Sequence, residues 1–269
     1  MWHAQSLKRT TIAVVVLLAT PLVAWAVLYL SPSAADAIGI GIGRTDTPQS
    51  FTFNGYTVQL AGAYADSFNT VIDLKGAPPG VVFGATYLND QFGNLYPEEN
   101  AEASKAGDMA LNYKTAAWLT TVAGMRYTLT IEQSSDNAVT RTSTLKGTVH
   151  FDTAPRLQIP ASGSFANGEV TFIDARYGAH VVVIGFEVRG VSVIGGYPPS
   201  EASVKPRPSL EVRLAPIDGG AAKNMPYRAS VSGGVTQVHA IAMLVDPGTY
   251  SLVVSLEGVA NLQRTLLVS

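Results

Sequence analysis

Cysteine is absent from all 269 residues. That single absence removes disulfides, thiolate metal sites, thiol catalysis and a lipid-modified cysteine anchor. Charge is sparse: Asp, Glu, Lys and Arg make up 14% of the chain against 47% apolar residues. Such a chain can bury a core and lacks the composition of a disordered segment. Nor is there a basic stripe. Lys8 and Arg9 precede the first apolar run and every acidic residue follows it. Of 18 basic and 20 acidic side chains, 16 and 20 remain from Ser31 onward, a net of −4. Nucleic-acid binding needs clustered cations to displace phosphate counterions, so no nucleic-acid partner is expected. Helix-length amphipathic periodicity is also missing, apart from a turn or two around Glu98 to Lys105.

Histidine is scarce, with His3, His150, His180 and His239 making up the full set. None falls in HExxH or another zinc-ligand spacing. His150 and Asp152 share a strand face at i, i+2, a spacing that can seed a metal or acid/base pair, or that is simply a solvated strand end. No serine lies in G-x-S-x-G, and Ser164 and Ser232 sit in serine-glycine turns. The run Gly39-Ile40-Gly41-Ile42-Gly43 lacks phosphate-loop spacing and reads as linker. Asp90, Asn94, Glu98 and Glu99 form an oxygen-rich cluster of the kind a weak calcium site uses. The alternative is a turn over residues 91–94 followed by an acidic surface loop. No catalytic, cofactor-binding or metal-ligating residue is expected, and no cofactor.

Apolar character is concentrated at the N-terminus. Residues 12–30, IAVVVLLATPLVAWAVLYL, carry no charge. As a helix they span roughly 28 Å, close to the hydrocarbon core of a bilayer. The eleven Leu, Ile and Val side chains favour insertion by roughly 3 to 6 kcal/mol. Trp25 and Tyr29 suit the headgroup region at its outer end, and Pro21 is tolerable in such a helix. With Lys8 and Arg9 ahead of the run, residues 1–11 are expected in the cytoplasm and the remainder outside it. Membrane lipid is thus the expected partner of residues 12–30. Ala24-Trp25-Ala26 offers the alternative of signal-peptide cleavage after Ala26 and secretion. Either route exports the rest of the chain.

Residues 31–49, rich in Ser, Ala, Gly and Pro, read as a flexible tether. Beyond them the period is two. Met125, Tyr127, Leu129 and Ile131 alternate with polar residues, as do Leu210-Val212-Leu214 and Tyr250-Leu252-Val254-Leu256. The stretch from His180 to Phe186 is apolar on both faces and reads as a central strand. Turn signals such as Asn54-Gly55, Gly93-Asn94, Asn167-Gly168 and Gly219-Gly220 separate the strands. A segment from Asn54 resembles one from Asn167, with Tyr64 matching Tyr177 and Gly76 matching Gly190. Each copy reads turn, strand, turn, strand, and the spacing of about 113 residues suits one sandwich domain. The expected fold is all-β: one transmembrane helix, then two immunoglobulin-like antiparallel sandwiches over residues 50–152 and 153–269.

Two surfaces qualify for binding. Residues 195–208, GGYPPSEASVKPRP, favour extended polyproline geometry that a partner can grip. Trp118 with Tyr87, Tyr96 and Tyr113 could form an aromatic platform, or pack in the core.

Residues 53–96 carry an NGYTVQL strand, then AYADSFNTVIDLKG, then Tyr87, Asp90, Gly93, Asn94 and Tyr96 in a Y-x-x-D-x-x-G-N-x-Y hairpin. In this they resemble the immunoglobulin-like extracytoplasmic modules of bacterial membrane proteins related to anti-sigma factors. The resemblance implies a bacterial, non-enzymatic, membrane-tethered module. About eleven residues before the apolar run leave no room for a sigma-binding domain, so no functional residue carries over. The resulting expectation is a membrane-anchored binding or structural module engaging a protein or cell-envelope component. The alternative is an exported hydrolase or carbohydrate-active enzyme with a site built from distant loops.

Overall fold

The computed structural model describes residues 41–45, 50–190 and 210–269, apart from 54, 67, 79–82, 84, 91–92, 105, 115–123, 136–137, 161, 166–167 and 257–259. For 41–45, 124–126, 132–153, 165 and 260 it describes the backbone alone. The apolar run 12–30 with its cleavage site, the 195–208 segment, Trp118 and the side chains of His150 and Asp152 lie outside the described residues. Among the described residues no helix is long and apolar enough to cross a membrane.

The described elements are antiparallel strands. The first unit holds β1 (Gly41–Thr45), β2 (Ser50–Phe53), β3 (Tyr56–Ala65), β4 (Asn69–Lys75), β5 (Ala85–Asp90), β6 (Leu95–Ala103), β7 (Met109–Lys114), β8 (Gly124–Ser135) and β9 (Ala138–Thr153). The second holds β10 (Ser162–Phe165), β11 (Gly168–Gly178), β12 (Val181–Arg189), β13 (Leu210–Pro216), β14 (Lys223–Asn224), β15 (Tyr227–Ser232), β16 (Val235–Ala242), β17 (Gly248–Leu256) and β18 (Ala260–Val268).

In the second unit one sheet runs β10-β11-β12-β16-β15 and the other β14-β13-β17-β18. Leaving aside the short β10 and β14, this is the ABED/CFG arrangement of a constant-type immunoglobulin sandwich. The first unit repeats that order. Its β3-β4-β7-β6 and β5-β8-β9 stand in the same succession, but β5 also pairs with β6 and β1 pairs with both β9 and β3. The two sheets are therefore joined on both sides into one nine-stranded sheet.

Two corrections to the sequence reading follow. Residues 41–45 fall inside the span read as tether, yet they form β1, with Gly41 opposite Thr153 and Thr45 opposite Val149. Ile42 supplies β propensity there, and the flanking glycines let the backbone lie between β9 and β3. Residues 98–103, read as a helical turn or two, continue β6; the strand is polar because Tyr96 is its one buried residue.

The repeat read at about 113 residues falls on the hairpins β3–β4 and β11–β12, whose equivalent positions stand 112 apart, so that Tyr64 is level with Arg176 and not with Tyr177. Each first strand carries a bulge, between Leu60 and Gly62 in β3 and between Phe172 and Asp174 in β11. An extra residue switches which side chains face inward. Before the bulges Val58, Leu60, Val170 and Phe172 enter the cores, and after them Ala63 and Ala175 do. The residues freed by that switch, Gly62 and Tyr64 in one copy, Asp174 and Arg176 in the other, point away from their own cores. Gly76 and Gly190 close the two copies at φ +79° and +80°, a backbone region that glycine enters at no steric cost.

Each unit has its own core. Val58, Leu74, Leu88, Leu111 and Leu129 centre the first, with Phe53 set edge-on to Phe83 at 4.9 Å; Val182, Ile184, Phe186, Val212, Leu252 and Val254 centre the second. Burying each such side chain contributes about 1.5–3 kcal/mol. β12 is central in its sheet, as its apolar run predicts. It is apolar on both faces for a second reason: Val182, Ile184 and Phe186 fill its own core, while Val181 and Val183 meet the first unit.

Candidate functional site: the junction between the two units

A third apolar cluster lies between the units. Tyr64, Val71 and Ala110 come from the first, Val181, Val183, Ile241 and Met243 from the second, and Ala154 from the connecting segment. Gly62 makes the approach close: a Cβ there would lie 3.3 Å from the Cβ of Ala179. The connecting segment is pinned too, since Leu157 N–H donates to Ala175 and Tyr177 N–H to Pro155.

Four polar contacts cross between the units around the apolar patch. Asp66, Asp73, Glu99 and Glu102 of the first unit meet His239, His180, Arg228 and Lys223 of the second. Two of them, Arg228–Glu99 at 2.5 Å and Lys223–Glu102, are half-buried ion pairs. The histidine pairs lie deeper.

Asp66 sits at the tip of the β3–β4 hairpin and is 2% exposed. Its Oδ1 accepts the backbone N–H of Phe68 at 2.8 Å and of Asn69 at 2.7 Å, an Asx turn that shapes the tip. Its Oδ2 accepts the Tyr64 hydroxyl at 3.0 Å and faces His239 Nε2 at 2.9 Å. Burial by itself would raise the carboxyl pKa, but the His239 charge and these donors outweigh it and hold the group below the ordinary range. Phe68 covers the imidazole, with ring centroids 4.4 Å apart.

The reciprocal contact comes from the other hairpin. His180, at the β11–β12 tip with φ +56°, places Nδ1 2.9 Å from Asp73 Oδ2 in the middle of β4. Asp73 is buried, and its Oδ1 has no hydrogen-bond partner among the described residues. Burial pushes its pKa up, against the opposing pull of His180. Each hairpin of the repeat thus extends its tip over the other unit.

Between Asp66 and β12 is a cavity of about 10 Å³, lined by Tyr64, Asp66, Asp174, Arg176, Gly185 and His239. It has room for one water molecule and no organic substrate. Arg176 Nε binds Asp174 Oδ2 at 2.5 Å, and Arg156, largely exposed, reaches the other oxygen at 3.3 Å.

The residues singled out by sequence fall elsewhere. Asp90 organises the β5–β6 hairpin: its carboxylate accepts Asn94 N–H at 2.9 Å, the Asn94 amide at 2.8 Å and the Tyr96 hydroxyl at 2.8 Å. Glu98 instead accepts the Thr86 hydroxyl. The acidic cluster is therefore divided, and among the described residues no three His, Asp or Glu converge as a metal site. Tyr96 and Tyr113 are buried in the core, where Tyr113 donates to Thr86 at 2.7 Å, so they form no exposed platform. Neither histidine bridge is legible in sequence, because the partners are 107 and 173 positions apart.

No protein-family profile matches the chain, and no curated protein does. Among solved structures, 82% of the chain is similar to 99% of a segment of two fibronectin type III domains from chicken tenascin, at 14% identity and a TM-score of 0.21.

Proposed function

We propose that this chain is a membrane-anchored extracytoplasmic module of two immunoglobulin-like domains, without chemistry of its own, that presents a binding or structural surface to a protein or cell-envelope component. Residues 31–40 link the anchor to residues 41–153, the first domain, and the second follows. The reading also takes in the likeness of residues 53–96 to the extracytoplasmic modules of bacterial anti-sigma-related proteins.

The observation that carries it is the uncharged run of residues 12–30, with Lys8 and Arg9 before it and Asp36 as the first charge after it. The all-β body suits such a role. Its buried carboxylate–histidine pairs join the two units, a structural use of groups that a hydrolase would turn toward substrate.

Fractionation of a C-terminally tagged full chain tests this. The tag should sediment with membranes and be digested by protease added to intact cells. A tag protected in intact cells overturns the topology, and a soluble chain shortened to begin near residue 27 overturns the anchor.

A further inference from the structure

The geometry points to a self-pairing edge: the outer side of β15 takes up the same strand of a second copy of this chain, antiparallel and two-fold symmetric about Ser230. This rests on the second unit alone and not on where the chain resides.

β15 ends its sheet. β16 bonds one side of it, and among the described residues no strand lies on the other. The turn into β16 fixes which backbone groups face outward. Gly233 and Gly234 have φ +58° and +78°, the two left-handed positions of a tight hairpin turn, so the flanking Ser232 and Val235 are a hydrogen-bonded pair. Such pairs recur at every second position, through Ser230 and Arg228. Pro226, next in that series, accepts the Ile241 N–H at 3.0 Å. The N–H and C=O groups of Ala229 and Val231 therefore point away from β16.

This edge is unguarded. Edge strands are blunted by lysine, proline, a bulge or an inward charge. Residues 229–232, Ala-Ser-Val-Ser, carry none of these, and β15 meets β16 without a register shift. The charge in the strand, Arg228, is spent on Glu99 of the first unit. Beyond it Ser230, Val231 and Ser232 are exposed, Val231 to 56%. The opposite side of the sandwich is better covered, since Arg264 of β18 donates to the Ser162 carbonyl of β10 at 2.8 Å.

A second copy fits this edge by symmetry. Pairing requires outward-facing residues on both strands, and the exposed half of β15 centres the register on Ser230. Ala229 then lies opposite Val231 of the second copy, and Val231 opposite its Ala229. Each of these pairs exchanges two N–H···O=C bonds. Val231 gains an apolar neighbour, Ser230 meets its own counterpart, and Arg228 faces an uncharged serine, so no like charges are opposed. An edge that selects a foreign peptide does so with side-chain pockets beside its backbone bonds. Here serines and a diglycine turn flank the edge, and the nearby cations Arg228 and Lys223 already have glutamate partners. So short a pairing buries far less than a permanent dimer does. Association is therefore weak in dilute solution and grows where copies are concentrated.

The absence of cysteine makes the test direct, because one introduced thiol can form a disulfide only between copies. The central pair of this register has Cα atoms about 4.5 Å apart, within disulfide reach. S230C, oxidised in the purified full chain in mild detergent, should yield covalent dimer roughly tenfold faster than L95C or L267C. Those two control positions are 57% and 62% exposed. In the S230C background, V231P removes an outward N–H that β16 does not use, and V231K puts a charge on the edge. Each should bring the rate down to that of the controls, while circular dichroism shows the fold kept. Equal rates at the three thiol positions overturn the proposal. So does fast S230C cross-linking that survives V231K. An S230C thiol that neither cross-links nor takes up a maleimide overturns it as well, because another part of the chain then covers the edge.

Discussion

Asp66 and His239 lie 173 positions apart in sequence and 2.9 Å apart in space. Their contact is the centre of the molecule's organisation. The same carboxylate turns the β3–β4 hairpin through Phe68 and Asn69 and receives the imidazole of the opposite unit. Local turn and long-range docking are thereby fixed by one side chain.

Removing either partner leaves a buried polar group without its complement. Asp66→Ala should lower stability by about 3–5 kcal/mol. Combining it with His239→Ala should cost less than the sum of the two single changes, by roughly 0.5–3 kcal/mol. Chemical unfolding of the four variants measures this, and strict additivity would contradict the contact.

The two aspartates respond to acid in opposite senses. Asp66 has a depressed pKa when folded, so its stabilisation is present above the ordinary value near 3.8 and is lost as pH falls through the lowered value. Asp73 has a raised pKa when folded, so its contribution improves as pH falls through that raised value and is least favourable above it. Asp66→Asn should therefore blunt the acid-induced fall in melting temperature. Asp73→Asn should stabilise relative to the parent chiefly at neutral pH, with the advantage shrinking on mild acidification. Melting curves from about pH 2 to about pH 7 separate them.

Two glycines should resist substitution for different reasons. At Gly76, φ is +79° and an added Cβ would meet the Thr57 carbonyl oxygen at 2.6 Å, so Gly76→Ala should cost about 1–3 kcal/mol or more. Gly62 has ordinary φ but faces Ala179. Gly62→Val should leave each core intact and push the units apart, a change seen in small-angle scattering more than in circular dichroism.

The β5–β6 turn should be indifferent to calcium, because Asp90 already has its oxygens occupied by Asn94 and Tyr96. Adding millimolar calcium should leave the melting temperature unchanged. Tyr96→Phe should remove one hydrogen bond and cost about 1 kcal/mol.

What the sequence disclosed follows from the range of the interaction concerned. Alternation in β8, β13 and β17 is a local consequence of one wet face, so it could be read directly. The hairpin repeat was legible as two turn-strand-turn-strand segments, but the bulges set its register so that Tyr64 stands level with Arg176 and not with Tyr177. β6 was hidden by its composition: Glu98, Glu99 and Glu102 are spent on Thr86, Arg228 and Lys223, leaving Tyr96 as the sole apolar signal facing inward. β1 was hidden by its glycines. The junction was hidden by distance, and its one sequence trace is the double-faced apolarity of β12, which reads as centrality in a sheet until a covering unit is known.

The pairing of Gly41 with Thr153 has a mechanical corollary. The chain enters the first unit and leaves it on neighbouring rungs, about 5 Å apart. The intervening strands are a closed excursion that adds almost nothing to the reach between the N-terminal segment and residue 154. A tug on that segment would be passed to the second unit across one rung, with the bulk of the first bearing none of the load.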